Sequence, residues 1–250
     1  MTERWKSNKC HIGNEHFPVD IMSPFQNDPD YTNDELSRAL IISYLVAARD
    51  TVATTLTWLF YKLSQNPNIV SNIRNELSLI ASRKVASSAG AIVIFEPTET
   101  KSLIYLRAVL YETLRLYPPA AIERKTVATN DTMPSGHKVH AGDTIFICIQ
   151  SMGRMEDLWG KDCLDYNPDR WLSEDGKSLR YVSHKFLAFN SGPRICLGKD
   201  IAFMQMKTVV AATLWNFDVQ VVEGQRIQPK SSCILEMKNG LKIKLKKRLI

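Results

Sequence analysis

The segment Phe189-Asn-Ser-Gly192-Pro-Arg194-Ile-Cys196-Leu-Gly198 gathers residues whose types and spacing suit one kind of chemistry. Cys196 stands where a long final helix, over about 197–215, is expected to begin. A sulfur there meets free backbone amides and the positive end of the helix dipole, and both favour the thiolate. Gly192 and Gly198 remove side chains where a large flat ligand or a neighbouring backbone must come close. Arg194, two residues before the sulfur, is spaced to pair with a carboxylate on such a ligand. Phe189 is placed to shield the sulfur from water. A lone cysteine at a helix start is more often a buried structural residue, so it is the five positions together that point to a ligand.

Two further groups carry charge into apolar surroundings. Glu112 and Arg115 lie three residues apart on a predicted helix, hence on one face, where they can pair. On an exposed face such a pair is worth under about 1 kcal/mol. Asp50 and Thr51 follow Ala47-Ala48-Arg49 in the middle of a long apolar stretch. An acid and a hydroxyl inside a buried helix are costly unless each finds a partner. The Thr51 hydroxyl has a bland alternative, a bond back to a carbonyl one turn earlier.

The elements that must position these groups are mostly helical. Residues 1–31 are polar and without period, and read as irregular. Thr32-Asn-Asp-Glu35 forms a capping box, and no Gly or Pro interrupts the chain from there to Asn66-Pro67. At 1.5 Å per residue this predicts a helix of roughly 50 Å that crosses the molecule and is largely buried. Pro67 suits the first position of a second helix, capped by Asn66 and running to about Ser82. Residues 83–100 read as a surface loop. A third helix, about 102–116, is stopped by Pro118-Pro119. Turn signals at Pro134-Ser-Gly136 and Ala141-Gly142-Asp143 lead into an apolar strand over 144–149. After the final helix come strands near 218–222, 232–237 and 241–245, with Asn239-Gly240 as a hairpin signal between the last two.

The 250 residues are 44% hydrophobic and 23% charged, an ordinary globular balance. Lys and Arg are dispersed, which argues against nucleic acid as a partner despite a net charge of +6. The densest run, Lys242 to Arg248, alternates with Leu and Ile and reads as an exposed strand edge. Cys10, Cys148, Cys163, Cys196 and Cys233 are odd in number and scattered, against a disulfide framework or zinc site. His137 and His140 share a turn-rich segment without a third ligand nearby, and read as solvent-exposed. Met204 and Met206 read as core packing. No stretch approaches the roughly 20 apolar residues of a membrane span, and no leader is evident.

The Phe189–Gly198 segment matches F-x-x-G-x-R-x-C-x-G at every fixed position, and in this it resembles the haem-binding signature of the cytochromes P450. Glu112-Thr-Leu-Arg115 resembles the family's ExxR element. Asn167-Pro-Asp-Arg170-Trp171 resembles the later meander, and Ala48-Arg49-Asp50-Thr51 the oxygen-site stretch of the long helix. The resemblance covers about residues 32–250 and implies a mainly α fold with small β elements, the C-terminal half of a monooxygenase domain. It implies haem b as cofactor, with Cys196 as the iron ligand and Arg194 as partner of a propionate. A structural triad of Glu112, Arg115 and Arg170 would hold the core, and Asp50 and Thr51 would pass protons at the oxygen site. Ala48 replaces the usual Gly, which narrows that groove and is expected to alter coupling or oxygen access. Arg124 and Lys125 both fall where a second propionate contact is expected. Pro119 to Glu123 corresponds to a substrate-lining segment, in which the charge of Glu123 is unusual for a lipid pocket.

Ala48-Arg-Asp-Thr before Leu56-Thr-Trp58, Leu197-Gly-Lys199 and Ala202-Phe-Met-Gln-Met206 are similar to the plant branch that hydroxylates fatty acids and alkanes. Some members of that branch instead couple phenols in alkaloid synthesis, and the residues do not separate the two. The implied partners are a hydrophobic small molecule and a reductase using NADPH, and the implied location of the full-length protein is the cytosolic face of the endoplasmic reticulum membrane. Family members are about twice as long. The missing N-terminal half would bring the anchor and the substrate roof, so a truncated product acting only through interactions is the competing expectation.

Overall fold

A computed structural model describes residues 34–85, 92–180, 185–230 and 232–249. The expected irregular segment 1–31 and the Thr32 capping box lie outside the described residues. The chain divides into two compact units, Met1–Arg49 and Asp50–Ile250.

Helix α1 (Asp34–Gln65) starts in the first unit and ends in the second. Its length meets the expectation, but its burial does not. In the first unit Ile42, Leu45 and Val46 are 60%, 62% and 65% exposed. By length and composition alone, Glu35–Gln65 contains a stretch apolar enough to cross a membrane, contrary to the reading of the sequence. Ser43 and Tyr44 are too mildly polar to break the apolar average. The C-terminal end is a core helix, because Trp58, Leu59 and Leu63 are buried.

In the second unit, α2 (Pro67–Val85) presents Ile69, Ile73, Leu77 and Ala81 to the core, one every four residues and so on one stripe. Pro67 opens the helix as expected, although Asn66 does not cap it with its side chain. That amide donates back to the Lys62 carbonyl at 2.7 Å and closes α1, while the Asn66 carbonyl receives Ile69 N–H. The segment expected as surface loop is partly core. Val93 and Phe95 are buried, and the Asn216 amide pairs with both the N–H and the C=O of Val93 at 2.8 Å. A single turn, α3 (Pro97–Thr100), follows, with a capping box between Glu96 and Glu99.

Helix α4 (Ile104–Leu116) is buried on nearly all sides from Leu106 onward. Beyond it, β1 (Glu123–Thr126) pairs antiparallel with β4 (Thr144–Ile147), and β2 (Asp131–Thr132) with β3 (Lys138–Val139) around the Pro134–Gly136 turn. Short turns α5 (Ile149–Met152) and α6 (Glu156–Trp159) precede the 3-10 turn Pro168–Trp171. Helix α7 (Lys199–Asn216) packs Phe203, Met206, Val210 and Leu214 into the same core as α2 and α4. The expected final hairpin is rearranged. Asn239-Gly240 does turn, but residues 232–237 form only isolated bridges, and β6 (Ile243–Lys247) pairs with β5 (Phe217–Val221). Every residue of β6 is exposed, as its lysines suggest.

Lys207 is buried among these helices, and its Nζ donates to the carbonyls of Thr100 and Lys101. Burial, and then the nearby Arg107 cation, push its pKa down from 10.5 to about 8, with Glu76 pulling the other way. The folded protein therefore releases this proton more readily than the unfolded chain, and Lys207 contributes more stability as pH rises from about 8 toward 10.5. Relative to Lys207→Met, the unfolding free energy in urea should rise by about 2 kcal/mol across that range. A difference that stays flat with pH would count against the assignment.

Candidate functional site

The Cys196 loop is closed by its own backbone. Cys196 N–H donates to the Phe189 carbonyl at 2.8 Å, which brings the two ends of the signature together. Inside the loop, Asn190 takes φ +63° and Gly192 φ +71°, left-handed values that carry a steric cost for residues other than glycine. A Cβ on Gly192 would meet no atom within 4 Å, so the backbone conformation and not crowding within the protein calls for glycine there. The Gly192–Arg194 turn is 3-10. Helix α7 starts three residues after Cys196, at Lys199, not one step after it as the sequence suggests. Gly198 precedes it without a side-chain cap, and its added Cβ would lie 3.9 Å from Cys196 Sγ.

The Cys196 thiol is exposed. Its neighbours Ile195, Leu197 and Ile201 are 48%, 85% and 50% exposed, an unusual concentration of open apolar side chains around one sulfur. Phe189 is buried beneath, stacked at a tilt on Phe203 with ring centroids 5.2 Å apart, and Lys199 Nζ lies 5.8 Å from its ring centre.

Glu112, Arg115 and Arg170 come together in the core. Glu112 and Arg115 are 0% and 2% exposed, so the surface-pair alternative does not apply. The two meet in a fork, Arg115 Nε to Oε2 at 2.7 Å and Nη2 to Oε1 at 2.8 Å. Arg170 Nε reaches Glu112 Oε1 at 3.0 Å. Asn167 N–H and Trp171 Nε1 also donate to the same carboxylate, at 2.8 and 2.9 Å. Arg115 spends its remaining donors on the carbonyls of Gly153, Cys163 and Asp165, and Arg170 on Asp162 and the Trp159 carbonyl. The Glu112 carboxylate ties α4 to 167–171, and Arg115 ties it to 153–165. The sequence points to the Asn167–Trp171 segment but does not give Trp171, Asn167 or Gly153 as partners.

Asp50 and Thr51 are half-buried in the middle of α1, one turn before Thr55, whose hydroxyl donates to the Thr51 carbonyl at 2.8 Å. In β1, Glu123 accepts from Lys125 Nζ at 2.8 Å and from Asn190 Nδ2 of the Cys loop at 3.2 Å, which accounts for its charge. Arg124, the alternate residue, is exposed. Neither Arg124 nor Arg194 makes an ion pair among the described residues. His137 and His140 are exposed; Met206 is core, whereas Met204 is exposed, contrary to the expectation of core packing.

The family model described as Cytochrome P450 matches residues 17–245. The chain belongs to the cytochrome P450 family. It is 41% identical to alkane hydroxylase MAH1 of Arabidopsis thaliana, over 86% of this chain and 41% of that protein. It is 39% identical to noroxomaritidine synthase 1 of Narcissus pseudonarcissus, over 92% of this chain and 45% of that protein. Cytochrome P450 86B1 of Arabidopsis thaliana is 39% identical over 87% and 40% respectively. The chain thus spans less than half the length of these curated relatives, and its mainly helical structure with small sheets is a partial cytochrome P450 fold.

Membership of the cytochrome P450 family implies a haem-iron cofactor, and the residues present fit one. An exposed thiol suits an iron ligand, the open apolar rim suits a porphyrin face, and two unpaired arginines suit its carboxylates. The rim residues Ile195, Leu197 and Ile201 escaped the reading of the sequence, because apolar positions at a helix start look like core until their exposure is seen.

Proposed function

We propose that this chain carries the thiolate and proton-handling residues of a haem-thiolate monooxygenase, which inserts one oxygen atom of O2 into a C–H bond of a hydrophobic substrate such as a fatty acid or alkane. The exposed thiol of Cys196, set in a loop closed onto Phe189, is the observation that carries this reading. Cys196 holds the iron, and Arg194 and Arg124 pair with the haem carboxylates, Lys125 being engaged by Glu123. When bound, the haem supplies oxygen activation, and a thiolate ligand favours O–O cleavage. Phe189 anchors the loop through its carbonyl, and with the sulfur open in the protein alone it is bound haem that would keep water from it. Asp50 holds a proton and Thr51, both donor and acceptor, passes it on. Glu112, Arg115 and Arg170 position the core around the loop and take no part in the chemistry. The substrate class rests on the similarity to an alkane hydroxylase. Electrons come from an NADPH-dependent reductase, at the cytosolic face of the endoplasmic reticulum membrane.

The test is spectroscopic. Purified protein supplied with haem, then reduced under carbon monoxide, should show the strongly red-shifted Soret band of thiolate-ligated haem. Cys196→Ser should abolish the band and leave the far-ultraviolet circular dichroism unchanged, since the side chain is exposed. A wild-type chain that takes up no haem, or a band that survives the substitution, overturns the proposal. Turnover of fatty acids, alkanes and phenolic alkaloids then sorts the substrates.

A further inference from the structure

Residues 232–237 form no strand of their own, yet Leu235 and Met237 are buried. Leu235 is gripped from both sides of its backbone. Its N–H donates to the Pro119 carbonyl at 2.9 Å, beside an antiparallel bridge between Ile234 and Ala120. Its carbonyl accepts from Trp58 Nε1 of α1 at 2.7 Å, a buried bond between residues 177 positions apart. The indole has little freedom to turn away. It is 3% exposed and stacks on Tyr117, with centroids 4.4 Å apart and planes 10° from parallel. The Arg154 guanidinium lies 5.4 Å from the Tyr117 ring centre.

A buried indole N–H seeks an acceptor, and a buried carbonyl left without its donor is costly. Trp58 and Leu235 satisfy each other, and in doing so they join α1, the end of α4 and a segment with no ladder to hold it. We propose that Trp58 is a positioning residue, a latch that holds 233–235 against Pro119–Ala120 and thereby sets the wall presented to a hydrophobic substrate. Trp58 acts through Leu235 and touches neither substrate nor cofactor. The consequence for substrate rests on the monooxygenase reading, because only the family resemblance makes Pro119–Glu123 a substrate-lining segment; the latch itself does not.

Trp58→Phe keeps a ring for the stack and deletes only the donor. Amide hydrogen exchange in peptides covering 232–238 should accelerate on the order of 10-fold, the effect of one lost buried hydrogen bond, with α4 peptides unchanged. Tyr117→Leu leaves the donor and removes its stacking partner, and should accelerate the same peptides to a smaller degree; it serves as the test if the first variant fails to fold. Binding of dodecanoate, measured by calorimetry with or without haem, should weaken several-fold in Trp58→Phe. Unchanged exchange at 232–238 overturns the latch. Faster exchange with unchanged dodecanoate affinity, or a wild-type chain that does not bind dodecanoate, overturns its role toward substrate. The haem band is read separately, so its absence in the wild type counts against the proposed function and not against the latch.

Discussion

Glu112→Ala should cost about 3–5 kcal/mol of unfolding free energy, because it strands a buried arginine without its counter-charge. Arg115 is 2% exposed and retains only carbonyl partners once the carboxylate is gone. Arg170 keeps Asp162 and is the less affected of the two. Three more donors lose their acceptor at the same time, counting the Asn167 amide, the Trp171 indole and the Arg170 Nε. Against a typical domain stability of about 5–15 kcal/mol, the loss leaves a marginal fold or none. Glu112→Gln keeps the shape and one acceptor oxygen and should cost less. Urea unfolding followed by tryptophan fluorescence measures both, and a loss under about 1 kcal/mol for the alanine variant would mean that the pair behaves like a surface one.

The second large effect needs no charge at all. Gly153 has ordinary helical angles, φ −63° and ψ −10°, so alanine would fit its backbone. A Cβ there would collide with the carbonyl oxygen of Arg115, a backbone atom that cannot swing aside. Gly153→Ala must push α5 off the end of α4 and break the Arg115 bond to the Gly153 carbonyl. An overpacking cost of about 3 kcal/mol is expected. Gly198→Ala is the control. Its nearest neighbour is Cys196 Sγ at 3.9 Å, and its loss in the haem-free protein should stay under about 1 kcal/mol. The same urea experiment compares them, and equal losses at the two glycines would refute the steric argument.

Much of this was legible from residue types. The uninterrupted run from Asp34 to Gln65, the stop at Pro118-Pro119 and the helix after Cys196 follow from local rules of capping, proline and periodicity. The errors fell where the chain is judged by its neighbours. Val93 and Phe95 sit in a stretch that reads as loop, and it is Asn216, over a hundred residues later, that gives the Val93 backbone its partner. Asn239-Gly240 marks a turn correctly, but the strand partner of β6 is β5, because pairing is chosen by register and packing and not by nearness in sequence. Ile42, Leu45 and Val46 read as buried helix, and their exposure in the first unit is a fact of tertiary surroundings.

For the site the division is similar. The identities and order of Phe189, Gly192, Arg194, Cys196 and Gly198 were written in the chain itself, because a ligand loop depends on short-range spacing that no distant residue can alter. Whether the sulfur was core or open, and whether Glu112 and Arg115 were a surface pair or a sealed fork, depended on what folds against them. Burial sets the worth of a charge, and burial is a property of the packed molecule, settled by contacts between residues far apart along the chain.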